Sequence, residues 1–227
     1  VIHKDIKPQN IVLSGDGQIV KFIDFGISSK ISRETVSASV PGKLEGTLAY
    51  MSPEQTGRMN RAVDYRSDFY SLGATFYEML TGRLPFDASD AMEMVHNHIA
   101  RNPATPTETG SGEAVPHSLQ RIILKLMSKT PEERYRSAHG LAHDLERCHT
   151  GLKETGAVPD FAPGEKDFSD IFQIPQKLYG RDAEVGRLME AYQAIKNGEL
   201  VFMLVAGRSG VGKSALIREI HKPIASQ

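Results

Sequence analysis

The chain has little cross-linking chemistry, with one cysteine, Cys148, in 227 residues. A lone thiol excludes an intrachain disulfide and fits a reducing cytoplasm, the location expected for this protein. An excess of one charge is also missing. Lys and Arg total 27 against 28 for Asp and Glu, a formal net charge of -1. That balance gives no reason to expect nucleic acid or a membrane surface as the main partner. Long hydrophobic runs are scarce too. The apolar stretch Val201–Ala206 falls far short of the ~20 residues needed to cross a bilayer, so no membrane segment is expected in this chain. No signal-peptide pattern is visible, which bears little weight because the chain begins with Val1 rather than Met. Internal repeats and low-complexity tracts are absent as well. What is present is an apolar fraction of 40%, ample for one or two packed domains and against global disorder.

Periodicity then divides the chain. Residues 1–31 read as short strands and turns. Ile11–Leu13 and Ile19–Ile23 flank a Gly-Asp-Gly turn at 15–17, which predicts a hairpin. Residues 32–60, rich in Ser, Thr, Gly and Pro, predict a long loop. From Ser67 the spacing is helical: Phe69, Leu72, Phe76 and Leu80, with Gly73 among them, share one face, and Gly82 stops the helix. Asp90 with Glu93 predicts a capping box for a helix through Ile99. Leu119, Ile122, Ile123, Leu126 and Met127 predict another helix, and Leu141, Ala142, Leu145 and Cys148 one more. Residues 149–177, with prolines and glycines and no sustained period, read as a linker. Beyond it, Val185, Leu188, Met189, Tyr192 and Ile195 mark a helix, "LVFMLVAG" reads as a buried strand, and Ser214–His221 predicts a helix that stops before Pro223.

Three short stretches carry chemistry together that none carries alone: "HKDIKPQN" at 3–10, "DFG" at 24–26 and "GTLAYMSPE" at 46–54. In this order and spacing they resemble the C-terminal lobe of a protein kinase catalytic domain, with residues 3–10 in the place of the H-R-D-x-x-x-x-N loop. The resemblance covers residues 1–148 and continues through "DYRSDFYSLG" at 64–73 and "PEERY" at 131–135. It implies a mainly α lobe with a small β hairpin, using ATP and Mg²⁺. Phosphoryl transfer asks a protein mainly for positioning and charge neutralisation. The resemblance gives Asp5 the role of accepting the proton of the incoming hydroxyl, and Lys7 that of offsetting charge on the γ-phosphate. Asn10 and Asp24 would supply oxygen ligands to Mg²⁺, and Gly26 would let the backbone turn so that Asp24 points into the cleft. Lys7 and the "GT" before the SPE stretch resemble serine/threonine kinases, and Thr47 is expected to hydrogen-bond Asp5 and Lys7. Glu54 and Arg134 would form a buried ion pair, and Asp68 would brace the catalytic loop.

One residue departs from the family pattern. Position 4 is Lys where Arg is usual. Arg offers a planar fork for a phosphorylated loop and Lys only a point charge. Activation through Thr35, Ser37 or Ser39 is therefore less well supported than in the family at large, and a solvated Lys4 is as good a reading.

A second motif lies near the other end. "GRSGVGKS" at 207–214 fits G-x-x-x-x-G-K-[ST], after an apolar strand pattern and opening a helix, as a phosphate-binding P-loop does. Gly207, Gly210 and Gly212 would let amides curl round a phosphate, Lys213 would reach it, and Ser214 would ligand Mg²⁺. "LYGRDAEVGRLMEAY" ahead of it resembles the entry helix of AAA/STAND-type signalling ATPases. The expected unit is an α/β P-loop fold truncated to 178–227.

Weaker signals carry less. His139 and His143, with Cys148 and His149 nearby, have a zinc-compatible spacing but no H-E-x-x-H pattern, and read as a solvated helix face. His96 and His98 fall on different faces, and Met92 and Met94 read as core or groove fillers.

A kinase lobe joined by a linker to a P-loop ATPase resembles large bacterial-type multidomain signalling proteins, in which sensor and histidine kinase modules follow. That resemblance implies protein substrates with Ser or Thr acceptors and in-chain sensor partners. Only two residues precede His3, so the stretch is expected to begin in mid-domain and to have little kinase activity alone. Two alternatives stay open at this point: a pseudokinase scaffold, and an ATP-driven regulatory switch.

Overall fold

The computed structural model describes residues 1–29, 47–59, 61–108, 110–168, 180–208 and 211–218. The chain divides into two compact units, Val1–Phe172 and Gln173–Gln227.

In the first unit the hairpin forms as its pattern predicts. β1 (Ile11–Leu13) pairs antiparallel with β2 (Val20–Phe22), Ile11 facing Phe22 and Leu13 facing Val20. Asp16 closes the turn by accepting from the Ser14 hydroxyl and the Gln18 amide. Of the expected loop, residues 47–59 are irregular apart from two short 3₁₀ turns, Leu48–Tyr50 and Pro53–Thr56. Thr35, Ser37 and Ser39 lie outside the described residues.

α1 (Arg66–Thr81) ends where Gly82 adopts a left-handed φ of 69°, a conformation that costs glycine nothing. Its face is broader than the periodicity suggests. Phe69, Leu72 and Phe76 are partly buried against one cluster of Ile122, Leu126, Tyr135, Leu141, Cys148 and Phe161. The fully buried residues Tyr70 and Ala74 belong to a second cluster with Tyr77, Phe86, Ile123 and Met127. α1 is central, with core on two sides, so no single stripe describes it. α3 (His117–Leu126) crosses it at Gly73, where a Cβ would stand 2.7 Å from Leu126 Cβ and 2.8 Å from Met127 Cγ.

α2 (Ala91–Ala100) starts at Asp90, whose carboxylate accepts from the Met92 and Glu93 amides at 2.8 Å. The reciprocal half of the expected capping box moves one residue back, since Glu93 accepts from the Ser89 amide and hydroxyl at 2.7 Å. Met94 packs on the core as expected. Met92 does not, being 55% exposed with its sulfur 3.3 Å from an Arg58 nitrogen. His98 is buried beside Tyr70, whose hydroxyl lies 3.0 Å from its Nδ1.

α4 (Ala138–Thr155) is opened by Ser137, whose hydroxyl accepts from the Gly140 amide. It runs past residue 149, so the segment read as linker begins as helix. Residues 157–168 remain with the first unit and bury Phe161. Proline and glycine composition resembles a linker whenever a segment lacks periodic structure, although side-chain and backbone contacts can still dock it.

The second unit contains α5 (Asp182–Lys196) and α6 (Lys213–Arg218). The expected buried strand does not form: residues 200–206 carry no ladder, and Phe202 is 91% exposed. A strand of a parallel sheet is held by neighbours on both edges, and no described residue pairs with this one. Among the described residues no helix is long and apolar enough to cross a membrane.

Candidate active site

The stretch after His3 is shaped by Pro8, which opens a 3₁₀ turn over Pro8–Asn10 where its missing N–H leaves no bond unmade. That turn carries Asn10 back over Asp5. The Asn10 Nδ2 group donates to the Asp5 carbonyl at 2.9 Å and to Asp5 Oδ2 at 3.0 Å. Both bonds use the amide nitrogen, so Asn10 keeps its carbonyl oxygen for another partner.

Lys7 sits between two expected partners. Its Nζ donates to Asp5 Oδ2 at 2.7 Å and to Thr47 Oγ1 at 2.6 Å, and the Thr47 amide donates to Asp5 Oδ1 at 3.0 Å. Burial works against ionising Asp5. Hydrogen bonds from Lys7, then from the Thr47 backbone and hydroxyl, outweigh it and hold the carboxyl below its ordinary pKa. At neutral pH Asp5 is therefore an acceptor-only carboxylate.

The loop is fastened from beneath. Asp68, in the first turn of α1, accepts from the His3 amide at 2.8 Å and the Lys4 amide at 2.7 Å. Burial raises its pKa, and those two amides oppose the rise. His3 Nε2 lies 3.0 Å from the Ile23 carbonyl, which accepts only, so Nε2 carries the proton and Nδ1 faces the Asp5 amide. The His3 ring also tilts against Phe25, with centroids 4.7 Å apart.

Glu54 and Arg134 form the expected pair, almost wholly buried, with Nη1–Oε1 at 2.6 Å and Nη2–Oε2 at 2.9 Å. The fork geometry is the strong form of this contact. Burial alone would raise the Glu54 pKa. Arg134 and the Ser67 hydroxyl at 2.7 Å bring it below the usual range.

The DFG segment departs from expectation in one respect. The left-handed residue is Asp24 itself, at φ 63°, not Gly26. Asp tolerates this region better than most residues. The Gly26 amide donates back to Asp24 Oδ1 at 3.3 Å, and Asp24 is exposed.

Gln55 is a contact that the motif reading missed. Its Nε2 donates to the Lys4 carbonyl at 2.8 Å, while its Oε1 accepts from the Ser52 amide at 3.1 Å. The S-x-x-Q spacing at 52–55 is a capping-box signature and was the available signal.

Asn10 and Asp24 offer an amide oxygen and a carboxylate, the hard donors Mg²⁺ takes alongside phosphate oxygens. The residues thus fit a nucleotide-bound Mg²⁺. No cluster of three His, Cys, Asp or Glu suited to a metal exists among the described residues, and none is needed when phosphates supply most ligands.

In the second unit, Lys213 Nζ donates to the carbonyls of Gly207 and Arg208, both at 2.9 Å, and Gly212 has φ 93°. The loop lines an open cavity of about 420 Å³ together with Arg181, Arg187 and Leu188. Gly210 and the Ser214 side chain lie outside the described part.

Comparison with known proteins finds two domain families along the chain. Residues 1–145 match the family model of the protein kinase domain, and the chain belongs to that family. Residues 177–227 match that of the AAA ATPase domain. The hybrid signal transduction histidine kinase G of Dictyostelium discoideum is 37% identical over 196 residues, 78% of this chain and 6% of that protein. Serine/threonine-protein kinase PknB of Mycobacterium leprae is 39% identical over 151 residues, 66% of this chain and 23% of that protein. The probable serine/threonine-protein kinase CPE1738 of Clostridium perfringens is 37% identical over 147 residues, 65% of this chain and 20% of that protein. The chain therefore spans less than a quarter of each of these relatives. The combination of domains marks it as part of a multidomain signalling protein.

Proposed function

We propose that this lobe serves transfer of the γ-phosphoryl group of ATP to serine or threonine hydroxyls of a protein substrate in signal transduction. The observation that carries the reading is Lys7 bridging Asp5 and Thr47. Asp5 orients the acceptor hydroxyl and takes its proton as the O–P bond forms. A carboxylate held below its ordinary pKa is a weak base, so orientation comes first and proton transfer late. Lys7 offsets charge on the transferring phosphoryl oxygens, and Thr47 fixes Lys7 and Asp5 while leaving room for a short hydroxyl side chain. Asn10 and Asp24 would hold Mg²⁺, which would supply neutralisation of phosphate charge.

The likeness to PknB and CPE1738 supports Ser/Thr acceptors, and that to the hybrid histidine kinase supports further sensor modules in the same polypeptide. A buried free thiol at Cys148 and ATP as donor suit the cytoplasm. The P-loop unit supplies a second reading, an ATP-driven switch acting on the kinase. By their motif, Gly207, Gly210, Gly212 and Lys213 would hold the phosphates there, and Ser214 would add a Mg²⁺ ligand.

The test is a labelled-ATP assay of the full-length protein carrying this stretch, with Asp5→Asn and Lys213→Ala made separately. Label on serine or threonine that vanishes with Asp5→Asn supports the kinase reading, whereas phosphotyrosine, or label indifferent to Asp5, overturns it. Kinase output that changes on Lys213→Ala supports the switch.

A further inference from the structure

The kinase family model stops at residue 145 and the AAA ATPase model starts at 177, yet the first part of the chain between them is tied down. α4 ends at Thr155, Gly156 turns the chain at φ 72°, and residues 157–167 run back along α4 to its beginning.

Four fastenings hold this return. The Ser118 hydroxyl, on a residue 1% exposed, donates to the Pro159 carbonyl at 2.8 Å and accepts from the Phe161 amide at 3.0 Å. Phe161 enters the core with Ile122, Leu126 and Tyr135, and the Arg147 guanidinium lies 4.3 Å from its ring centre. Asp144, also 1% exposed, accepts from the Tyr135 hydroxyl at 2.6 Å and from the Gly164 amide at 2.7 Å. Asp167 accepts from the Arg136 amide at 2.7 Å and from the Ser137 amide and hydroxyl at 3.0 Å.

The lobe is shaped to receive the segment. A Cβ on Gly151 would overlap Pro159, and one on Gly140 would stand 2.7 Å from Asp167 Cα. Two helix glycines, each disfavoured against alanine in a helix interior, thus sit where the returning chain presses closest. The exposed pairs Arg121–Asp160 and Arg147–Glu165 add little.

These fastenings bear on the other site. Tyr135, Arg136 and Ser137 directly follow Arg134, which forks onto Glu54, and each is bonded to the returning segment or to Asp144, which itself holds it. We propose that residues 157–167 are an intrachain docking strap that occupies the groove lined by α3, α4 and residues 135–137, and that Asp167 is a positioning residue for the Glu54–Arg134 pair. The positioning clause rests on the kinase reading, and the docking clause does not.

Amide hydrogen exchange on the 227-residue chain tests the docking. The Phe161, Gly164, Arg136 and Ser137 amides exchange slowly in the unaltered chain. Asp167→Ala speeds Arg136 and Ser137 roughly 10–100-fold, the range set by losing hydrogen bonds to a charged acceptor. The Ile23 amide, bonded to the Asn10 carbonyl in the hairpin region, keeps its rate. Phe161→Ala frees the Phe161 and Gly164 amides in the same way. Unprotected strap amides in the unaltered chain, or Arg136 and Ser137 rates indifferent to Asp167→Ala, overturn the strap. In the full-length kinase, Asp167→Ala lowers kcat with KM for ATP unchanged, and Asp167→Glu restores part of it. An unchanged kcat overturns the positioning role. Exchange reads the strap whether or not phosphate is transferred, so failure of the kinase reading shows separately, as an unaltered protein with no Asp5-dependent activity.

Discussion

Lys7 and Lys213 have the same proposed task, neutralising phosphate charge, and rest in different ways. Lys7 bonds to a carboxylate and to a hydroxyl 40 residues away. Lys213 bonds to two carbonyls of its own loop, five and six residues back. The first site is assembled by the fold: Asp68 braces its loop from α1, Gln55 from the SPEQ turn, and Arg134 anchors Glu54 from 80 residues on. The second is a local device, a backbone loop and one lysine. A site drawn from distant segments inherits the stability of the core, whereas a local loop is nearly independent of it.

The comparison is tested most severely at Asp5. Asp5→Asn removes the proposed proton acceptor and is expected to lower kcat/KM of the full-length protein by about 10²–10⁴-fold, the usual worth of a positioned acid–base group. Activity within a factor of two of the original would end the case for Asp5. Next, Glu54→Gln leaves the Arg134 charge buried without its partner, which costs about 3–5 kcal/mol. Urea melts of the first unit should show it, and the P-loop unit should be indifferent. Gly73→Ala forces a methyl group between α1 and α3, with a loss of about 1–3 kcal/mol expected from overpacking. An unshifted denaturation midpoint would mean the two helices can separate freely.

A smaller effect is pH-dependent. Burial, then the nearby Lys129 ammonium, depress His98 to about 4. The folded value lies below the ordinary one of 6.5, so the unfolded chain takes up the proton first. Neutral His98 therefore adds stability that is complete above about pH 6.5 and lost as pH falls towards about 4. Stability measured across that window should fall less steeply in His98→Gln than in the original, and parallel curves would reject the assignment. Smallest in stability is Lys213→Ala, expected within about 0.5 kcal/mol because the side chain bonds only its own loop. Its main effect is expected on the proposed nucleotide binding of the second unit, measured by titration with ATP.

Much of the first site was legible. Asp5, Lys7 and Thr47 meet as their motif implies, and so do Glu54 with Arg134 and Asp68 with the loop amides. Spacing located the hairpin and the helices because period 2 and period 3.6 survive in sequence. The misreadings share one cause, which is that burial depends on neighbours. α1 shows a single stripe in sequence yet is packed on two sides. "LVFMLVAG" has a strand's composition yet no ladder partner among the described residues, and residues 157–167 have a linker's composition yet a docked course.

The sequence by itself determined which groups are available and in what order: a carboxylate, a lysine and an amide within eight residues, a P-loop pattern, and helices at 3.6 spacing. Tertiary structure alone decided that Gln55 holds Lys4 and that Asp167 closes on Ser137. Those contacts join residues up to 51 apart in the chain, and their geometry is set by how helices pack, which no local pattern encodes.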